Sequence, residues 1–204
     1  MKNPFPSTDP FVLSLGLTPA LQRTLIFDRF VVGEVNRARE VILSAAGKGV
    51  NVGMALAAFG HAARVTGFNG GSSGRTLADD ARRRGAYPRF TRIAGQTRVC
   101  DTIVDSATGR VTELVEEAPA IGTDDLARFQ RTALSLGRRC QALAISGTVP
   151  PALARQAIYV PFAELAARRK IPWVIDSHRE DLLSVLGHRP WVAKMNRHEL
   201  GVTF

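Results

Sequence analysis

Short hydrophobic runs alternate with stretches of helical periodicity along most of the chain. The runs predict strands, and the periodic stretches predict helices. The predicted strands are Phe11 to Leu15, Ala63 to Gly67, Ala142 to Ser146, Trp173 to Asp176 and Trp191 to Lys194. The predicted helices are Val50 to Phe59, Arg75 to Arg84, Asp124 to Leu136, Pro161 to Arg169 and Glu180 to Leu186. This alternation predicts an α/β fold with a mostly parallel sheet covered by helices.

Two segments depart from that pattern. From about residue 24 to 44, and again from about 98 to 117, β-branched residues alternate around turns that contain Gly33 and Gly109. Alternation of this kind is typical of antiparallel ribbons that expose one face. The sequence therefore predicts a small β lid inserted into the α/β body. In the α/β body, Thr123 is predicted to be the N-cap of the third helix, which begins at Asp124.

Composition favours a cytoplasmic globular protein. Hydrophobic residues make up 45% of the chain and charged residues 22%, which excludes disordered, collagen-like and disulfide-scaffold proteins. Cys100 and Cys140 each lie in an apolar stretch, as expected for thiols in a reducing compartment. No run approaches the roughly 18 apolar residues of a membrane span. Residues 1–10 lack the apolar core of a signal peptide and are expected to form a disordered tail.

The net charge of +9 raises the question of a nucleic-acid partner. The densest basic clusters lie at residues 82–84, 138–139 and 168–170, which are the C-terminal ends of predicted helices. Cations are favoured there by the helix dipole, and no aromatic residues interleave with them to stack on bases. Solvated helix ends are therefore preferred over a nucleic-acid surface. A basic surface also favours phosphorylated substrates.

The strongest candidate for chemistry is a glycine turn at residues 45–51 that leads into the first predicted helix. Such a turn presents backbone N–H groups at the positive end of a helix, which suits a phosphate or sugar hydroxyls, and Lys48 adds charge. The spacing of Gly47, Gly49 and Gly53 also resembles a dinucleotide fingerprint. Close packing of the helix against the sheet explains the glycines equally well.

A second glycine loop, Asn69 to Gly74, follows the strand that ends at Gly67 and is predicted to precede the helix that begins at Arg75. Open α/β sheets bind ligands at the carboxyl ends of their strands, so the two loops are interpreted as two walls of one pocket. The alternative is a flexible connector without a binding role.

Asn196 and Glu199 follow the last predicted strand and lie three residues apart at a helix start. Their oxygens would suit the outer shell of a hydrated Mg²⁺. An Asn N-cap with Glu at the N3 position is, however, an ordinary capping arrangement. The four histidines have no metal-ligand spacing, so surface roles are preferred for them.

Several short sequence motifs occur one after another along the chain. They are Leu17 to Gln22, Gly33 to Arg37, Ala46 to Val52, Thr66 to Gly71, Thr97-Arg98, Thr112 to Leu114, Ser146 to Pro150 and Lys194 to Leu200. In this set the chain resembles the PfkB branch of the ribokinase-like sugar kinases, in particular the 1-phosphofructokinase and tagatose-6-phosphate kinase group. The resemblance covers residues 11–204.

The resemblance implies a three-layer α/β/α body with a β lid that closes over the sugar. It implies ATP-dependent, Mg²⁺-assisted phosphorylation of a ketohexose phosphate, either fructose 1-phosphate, fructose 6-phosphate or tagatose 6-phosphate. By analogy the residues that contact this sugar phosphate are Gln22, Gly47, Lys48, Gly49, Asn51, Arg98 and Thr148. Arg98 would bind the phosphate already on the substrate, because its planar donors match phosphate oxygens.

On the nucleotide side, the resemblance implies that Lys194, Asn196 and Glu199 face the ATP phosphates, with Asn196 and Glu199 near the metal through water. It also implies pairing of two copies through the lid. Gln22 departs from the family, which usually has an aspartate there, and Ala46 replaces the first glycine of the usual Gly-Gly-Lys-Gly word.

The family's catalytic aspartate lies in a Gly-Asp word, and no Gly-Asp dipeptide occurs in these 204 residues. We therefore expect residues 11–204 to be an incomplete kinase domain that lacks the nucleotide half and is inactive, since phosphoryl transfer depends on positioning and charge stabilisation. Two alternatives stay open. One is a non-catalytic sugar-phosphate-binding module, and the other is a dinucleotide-binding dehydrogenase that uses Gly47, Gly49 and Gly53.

Overall fold

The computed structural model describes residues 10–153 and 156–204, so residues 1–9 of the predicted tail lie outside the described part. Its strands are β1 (Val12–Leu15), β2 (Ala20–Phe27), β3 (Glu40–Ala46), β4 (Ala63–Thr66), β5 (Phe68–Asn69), β6 (Tyr87–Pro88), β7 (Thr91–Arg92), β8 (Val99–Asp105), β9 (Arg110–Val115), β10 (Ala142–Ser146), β11 (Trp173–Asp176) and β12 (Val192–Lys194). Its helices are α1 (Lys48–Ala58), α2 (Gly71–Arg83), α3 (Thr123–Gly137), α4 (Val160–Arg169), α5 (Arg179–Leu186) and α6 (Arg197–Gly201), with a short 3₁₀ turn at Pro151–Leu153.

The central sheet has six strands in the order β12-β11-β10-β1-β4-β6, and every neighbouring pair is parallel. From β1 the chain first builds outward through β4 and β6, and then returns to add β10, β11 and β12 on the other side. The strand order therefore reverses between β1 and β10. In open α/β sheets this is the position where loops diverge and leave a crevice for a ligand.

Helices cover both faces of the central sheet. Leu13 and Leu15 of β1 pack with Phe129 of α3 and Phe162 of α4 in the larger core cluster. Ser14 faces the opposite side and donates a hydrogen bond of 2.7 Å to the carbonyl of Gly49 in α1. Alternate residues of one strand thus contact different layers, as strand geometry requires. The predicted three-layer α/β/α body with a mostly parallel sheet is confirmed.

The predicted lid is a four-stranded sheet in the order β3-β2-β8-β9. Its outer pairs, β2 with β3 and β8 with β9, are antiparallel, as the two ribbons were predicted to be. The ribbons join through β2 and β8, which run parallel. The first ribbon is longer than predicted, since β2 begins at Ala20 and β3 continues to Ala46. Lid strand β3 therefore runs directly into the glycine turn, and β2 begins directly after Pro19, which lies against Gly47.

Two predicted helix starts were wrong. Helix α2 begins at Gly71 instead of Arg75, because Gln96 accepts a hydrogen bond of 2.9 Å from the backbone nitrogen of Ser72 and so satisfies the first turn. The residue before α3 is Gly122, and Thr123 is already helical. The Asp125 carboxylate reaches back to the Gly122 nitrogen at 3.3 Å. In both cases a side chain that the sequence analysis had not assigned to the helix start accepts a hydrogen bond from a backbone N–H there.

Candidate functional site

A cleft of about 210 Å³ opens at the reversal of strand order. Gly16 lies one residue after the end of β1, and Ser146 is the last residue of β10. Arg98, immediately before lid strand β8, forms another wall. The residues that line the cleft are Gly16, Thr18, Pro19, Gly47, Lys48, Gly49, Val50, Arg98, Ser146, Gly147, Thr148 and His178. Five predicted sugar-site residues, Gly47, Lys48, Gly49, Arg98 and Thr148, therefore meet in one cleft.

The glycine turn connects lid strand β3 to the start of α1. Gly47 adopts a φ of 103°, and a Cβ there would lie 2.9 Å from the Cα of Pro19, so only glycine fits this turn without strain. Helix α1 has no side-chain cap and no acidic residue in its first turn. Its first backbone N–H groups, at Lys48, Gly49 and Val50, belong to residues that line the cleft. They form a positive helix end suited to an anion or to hydroxyl oxygens.

Lys48 is held by two carboxylates from distant parts of the chain. Its ammonium nitrogen lies 3.3 Å from Oδ1 of Asp176 and 3.3 Å from Oε1 of Glu199. The second oxygen of Asp176 accepts a hydrogen bond of 3.1 Å from the Lys194 ammonium. Two lysines and two carboxylates thus alternate in one network beside the cleft. Asp176 occupies the end of β11, at the edge of the sheet where ligands bind in open α/β folds.

Arg98 is fixed by backbone carbonyls and by no carboxylate among the described residues. Its Nη2 donates to the Thr18 carbonyl at 3.1 Å, and its Nη1 donates to the Glu116 carbonyl at 3.3 Å. The Nε atom is buried and has no hydrogen-bond partner within the described part of the chain. The positive charge of the guanidinium is therefore positioned but not neutralised, which favours an anionic ligand.

The third wall is the loop that follows β10. Gly147 has a φ of 108°, and its carbonyl accepts a hydrogen bond of 2.9 Å from the buried Tyr159 hydroxyl. The Asp181 carboxylate accepts a hydrogen bond of 2.9 Å from the Val149 nitrogen. Burial raises the pKa of Asp181, although that hydrogen bond opposes the effect. Together these contacts hold Thr148 at the rim of the cleft.

Two predicted sugar-site residues do not line this cleft. Asn51 lies one turn further along α1, where it is exposed and its backbone nitrogen bonds the Gly47 carbonyl at 2.9 Å. Gln22 lies on lid strand β2, and its Nε2 donates to the Thr102 hydroxyl on β8 at 2.7 Å. Gln22 therefore contributes to cohesion between the two lid ribbons.

Asn196 and Glu199 form the capping arrangement that sequence analysis had left as one of two interpretations. The Asn196 side chain accepts from the Glu199 nitrogen at 2.8 Å, and the Glu199 carboxylate accepts from the Asn196 nitrogen at 2.8 Å. This backbone hydrogen bond, assisted by Lys48, lowers the pKa of Glu199 despite partial burial. Glu199 is therefore held as a carboxylate that also faces the cleft network.

A divalent cation fits this donor set. Asp176 and Glu199 already present one carboxylate oxygen each to a single cation, the Lys48 ammonium. Carboxylate oxygens are the ligands that Mg²⁺ prefers. The described residues contain no group of three or more His, Cys, Asp or Glu side chains able to hold a metal by themselves. Water and ligand phosphates would therefore have to complete its coordination shell.

Several residues of the cleft were not among the predicted site residues. Gly16, Thr18 and Pro19 follow β1, and His178 follows β11, so all four lie beyond the carboxyl ends of correctly predicted strands. That position was a usable signal. The dinucleotide-binding alternative was wrong in its topology, because the turn at Gly47 follows a lid strand and not a parallel strand of the central sheet.

This combination of a three-layer α/β/α body, a β lid and a glycine-lined cleft defines the ribokinase-like class of sugar kinases. The family model described as pfkB family carbohydrate kinase matches residues 10–204. The chain therefore belongs to the pfkB family of carbohydrate kinases.

Solved structures with this fold include several phosphofructokinases. A Thermotoga maritima protein described as a possible 1-phosphofructokinase is 26% identical, with a TM-score of 0.84, and the match covers 95% of this chain and 64% of that one. Escherichia coli phosphofructokinase-2 in complex with fructose-6-phosphate is 22% identical, with a TM-score of 0.83 and coverages of 95% and 63%. A putative phosphofructokinase from Staphylococcus aureus is 22% identical, with a TM-score of 0.76 and coverages of 94% and 61%. The chain thus spans less than two thirds of the length of these proteins.

Proposed function

We propose that the cleft binds a ketohexose phosphate and that the protein serves ATP-dependent phosphorylation of that sugar. The observation that carries this proposal is that Lys48 and Arg98, from two different walls, line one cleft with the N-terminal turn of α1. Cationic side chains and free backbone N–H groups recognise phosphate and hydroxyl oxygens. The candidate substrates are fructose 1-phosphate, fructose 6-phosphate and tagatose 6-phosphate.

Each wall of the cleft is assigned to a different group of the substrate. The amides at Gly47 and Gly49 bind sugar hydroxyls, and the hydroxyl of Thr148 adds a contact from the opposite rim. Arg98 binds the phosphate group, since its guanidinium is fixed in place without a carboxylate partner among the described residues. Gln22 lies on lid strand β2 outside the cleft lining, so its contact with substrate requires the lid to close over the sugar. Asn51, on α1, lies outside the lining as well, and would contact a sugar that extends beyond the cleft along that helix.

The residues assigned to the ATP side of the site are Lys194, Asn196 and Glu199. Lys194 directs a cation to ATP phosphates, and Glu199, with Asp176 beside it, holds Mg²⁺ partly through water. A bound Mg²⁺ would neutralise charge on the transferring phosphoryl group. This assignment is supported by the convergence of both carboxylates on one ammonium group. Metal binding would displace the Lys48 ammonium and free it for the sugar phosphate.

The 204-residue chain contains no Gly-Asp dipeptide that could supply the family's base, so we propose that it binds sugar phosphate with negligible turnover. Titration calorimetry with the three sugar phosphates, with fructose as the unphosphorylated control, tests binding. A coupled ADP-release assay on the same sample tests turnover. Sugar-phosphate binding without ADP release is expected. Absence of binding would refute the cleft assignment, and sustained ADP release would refute the proposed inactivity.

A non-catalytic sugar-phosphate-binding module remains a second candidate function. It is supported by the glycine turn and Arg98, which meet in one cleft and can bind a sugar phosphate without any transfer of a phosphoryl group. A thermal shift with sugar phosphate but none with Mg-ATP would favour the module. A shift with both ligands would favour the kinase.

We also propose that two copies pair through the lid. Strands β3 and β9 expose large apolar residues, including Val41, Leu43, Val111 and Leu114. Light scattering during size-exclusion chromatography would show a dimer that a charged substitution, Val111→Lys, dissociates.

No helix within the described ranges is long and apolar enough to cross a membrane.

A further inference from the structure

A second cavity, of about 460 Å³, lies beside β6, the strand at one edge of the central sheet. It opens to solvent and is bordered by helix α2 and by the segment that runs from β6 into β7. The lining of this cavity includes Asn69, Arg75, Arg82, Arg89, Phe90 and Arg92. Among the described residues, none of the cavity's lining is shared with the glycine cleft, so the two cavities are separate.

The cavity carries a large excess of positive charge. Its lining includes four arginines and a single carboxylate, that of Asp79. Asp79 is already paired with Arg82 at 2.7 Å. In the described part of the chain, Arg75, Arg89 and Arg92 form no ion pair with an acidic side chain. Concentrating unpaired cations in a concave site raises the local potential for anions above that of a flat surface.

The chain arranges these arginines from two sides. Arg75 and Arg82 are seven residues apart on α2, so they lie on the same helix face with the small Ala78 between them. Arg89 and Arg92 project from the opposing segment. An anion inside the cavity would therefore meet guanidinium groups from both walls. Phe90 supplies an apolar wall beside them.

A further observation concerns Asn69, which belongs to the lining of this cavity. The side-chain oxygen of Asn69 is buried and has no hydrogen-bond partner within the described residues. Uncompensated charge together with an unsatisfied polar atom in one cavity is typical of a ligand-binding site.

We propose that this arginine cavity binds a small anion that carries at least two phosphate groups. Guanidinium groups match phosphate oxygens with paired hydrogen bonds, and several of them can share one polyphosphate. A single phosphate would leave most of the arginines unsatisfied. Affinity should therefore rise steeply from orthophosphate to pyrophosphate to tripolyphosphate, and should fall with ionic strength.

Titration calorimetry of the full chain with inorganic tripolyphosphate tests the proposal, and fructose 1,6-bisphosphate serves as a carbon-linked alternative. The double variant Arg75→Gln/Arg89→Gln removes one guanidinium from each wall. The matched control is Arg37→Gln/Arg110→Gln, which removes the same charge from exposed lid positions. A second control, Lys48→Ala/Arg98→Ala, disables the glycine cleft. Circular dichroism verifies that each variant is folded, and Arg92→Gln offers a single substitution in the same cavity.

We expect the cavity variant to weaken tripolyphosphate binding at least about tenfold, since each charge-assisted contact is strong. The lid control should change it less than about twofold, because distant exposed charges are screened. Equal weakening by the lid control would mean nonspecific attraction and would overturn the proposal. Loss of binding only in the cleft variant would assign the polyphosphate to the glycine cleft and would also overturn it. Tighter binding of the bisphosphate than of pyrophosphate would identify the ligand as a phosphate ester, whereas the reverse would identify an inorganic polyphosphate.

Discussion

The ammonium nitrogen of Lys48 lies 3.3 Å from Oδ1 of Asp176, although 128 residues separate the two in sequence. The pair joins the glycine turn to the carboxyl end of β11, across the point where the strand order reverses. Since Asp176 also accepts a hydrogen bond from Lys194, it partly neutralises the charge of Lys48, which lines the cleft, and of Lys194, which does not. The Asp176 carboxylate therefore lowers the positive electrostatic potential in the cleft, and its removal would raise that potential.

We therefore expect Asp176→Asn to strengthen sugar-phosphate binding a few fold, because the anion would meet less compensated lysines. The side chains of Lys48 and Asp176 are 42% and 23% exposed, so the loss of unfolding free energy should stay below about 1 kcal/mol. Calorimetry and urea unfolding measure the two effects. Weaker binding would show instead that Asp176 is needed to orient Lys48 toward the phosphate.

Arg98 provides a sharper test of phosphate recognition. Replacing it with alanine should weaken the binding of fructose 6-phosphate by about 1.5 to 3 kcal/mol, the usual range for hydrogen bonds to charged groups. Arg98→Lys keeps the charge but loses the planar pair of donors, so it should recover only part of the affinity. Binding of unphosphorylated fructose should change little in either variant. A similar loss for both ligands would mean that Arg98 shapes the cleft and does not read the phosphate.

Local features of the site could be predicted from sequence, and nonlocal ones could not. The turn at Gly47 and the capping pair Asn196 and Glu199 depend on residues within a few positions, so their sequence words are informative. The contact of Arg98 with the Thr18 carbonyl spans 80 residues and depends on the parallel pairing of β2 with β8. Nothing in either strand's own pattern specifies that pairing. The early start of α2 was missed for the same reason, because Gln96 satisfies its first turn from outside the helix.

Gly49 should be intolerant of even the smallest side chain. A Cβ on Gly49 would lie 2.8 Å from both the Cα and the nitrogen of Gly16, which are backbone atoms that cannot rotate away. Gly49→Ala should therefore lower the unfolding free energy by about 1 to 3 kcal/mol and separate α1 from β1. Urea unfolding measures this change, and Gly201→Ala is the control because its added Cβ would meet no atom within 4 Å. Equal stability of the two variants would show that the close approach of Gly16 and Gly49 is dispensable.

Asp80 should make the stability of the chain sensitive to acid. Burial of its carboxyl group opposes ionisation, but hydrogen bonds from the Ala45 nitrogen, Arg83 and Arg84 prevail and lower the pKa below 3.8. The folded chain thus binds fewer protons at Asp80 than the unfolded chain does. Its stabilising effect is complete well above pH 3.8 and is lost as the pH falls through the pKa of the folded state.

Asp80→Asn should consequently lower the unfolding free energy by about 1 to 3 kcal/mol at neutral pH, since it weakens charge-assisted bonds to two arginines. The deficit should shrink as the pH falls through the pKa of the folded state, because the wild-type carboxylate then becomes protonated as well. Urea unfolding at a series of pH values measures it. The neighbouring Asp79 is exposed and pairs only with Arg82 among the described residues, so Asp79→Asn should cost less than about 0.5 kcal/mol. A deficit for Asp80→Asn that stayed constant with pH would assign its effect to packing and not to the carboxylate's charge.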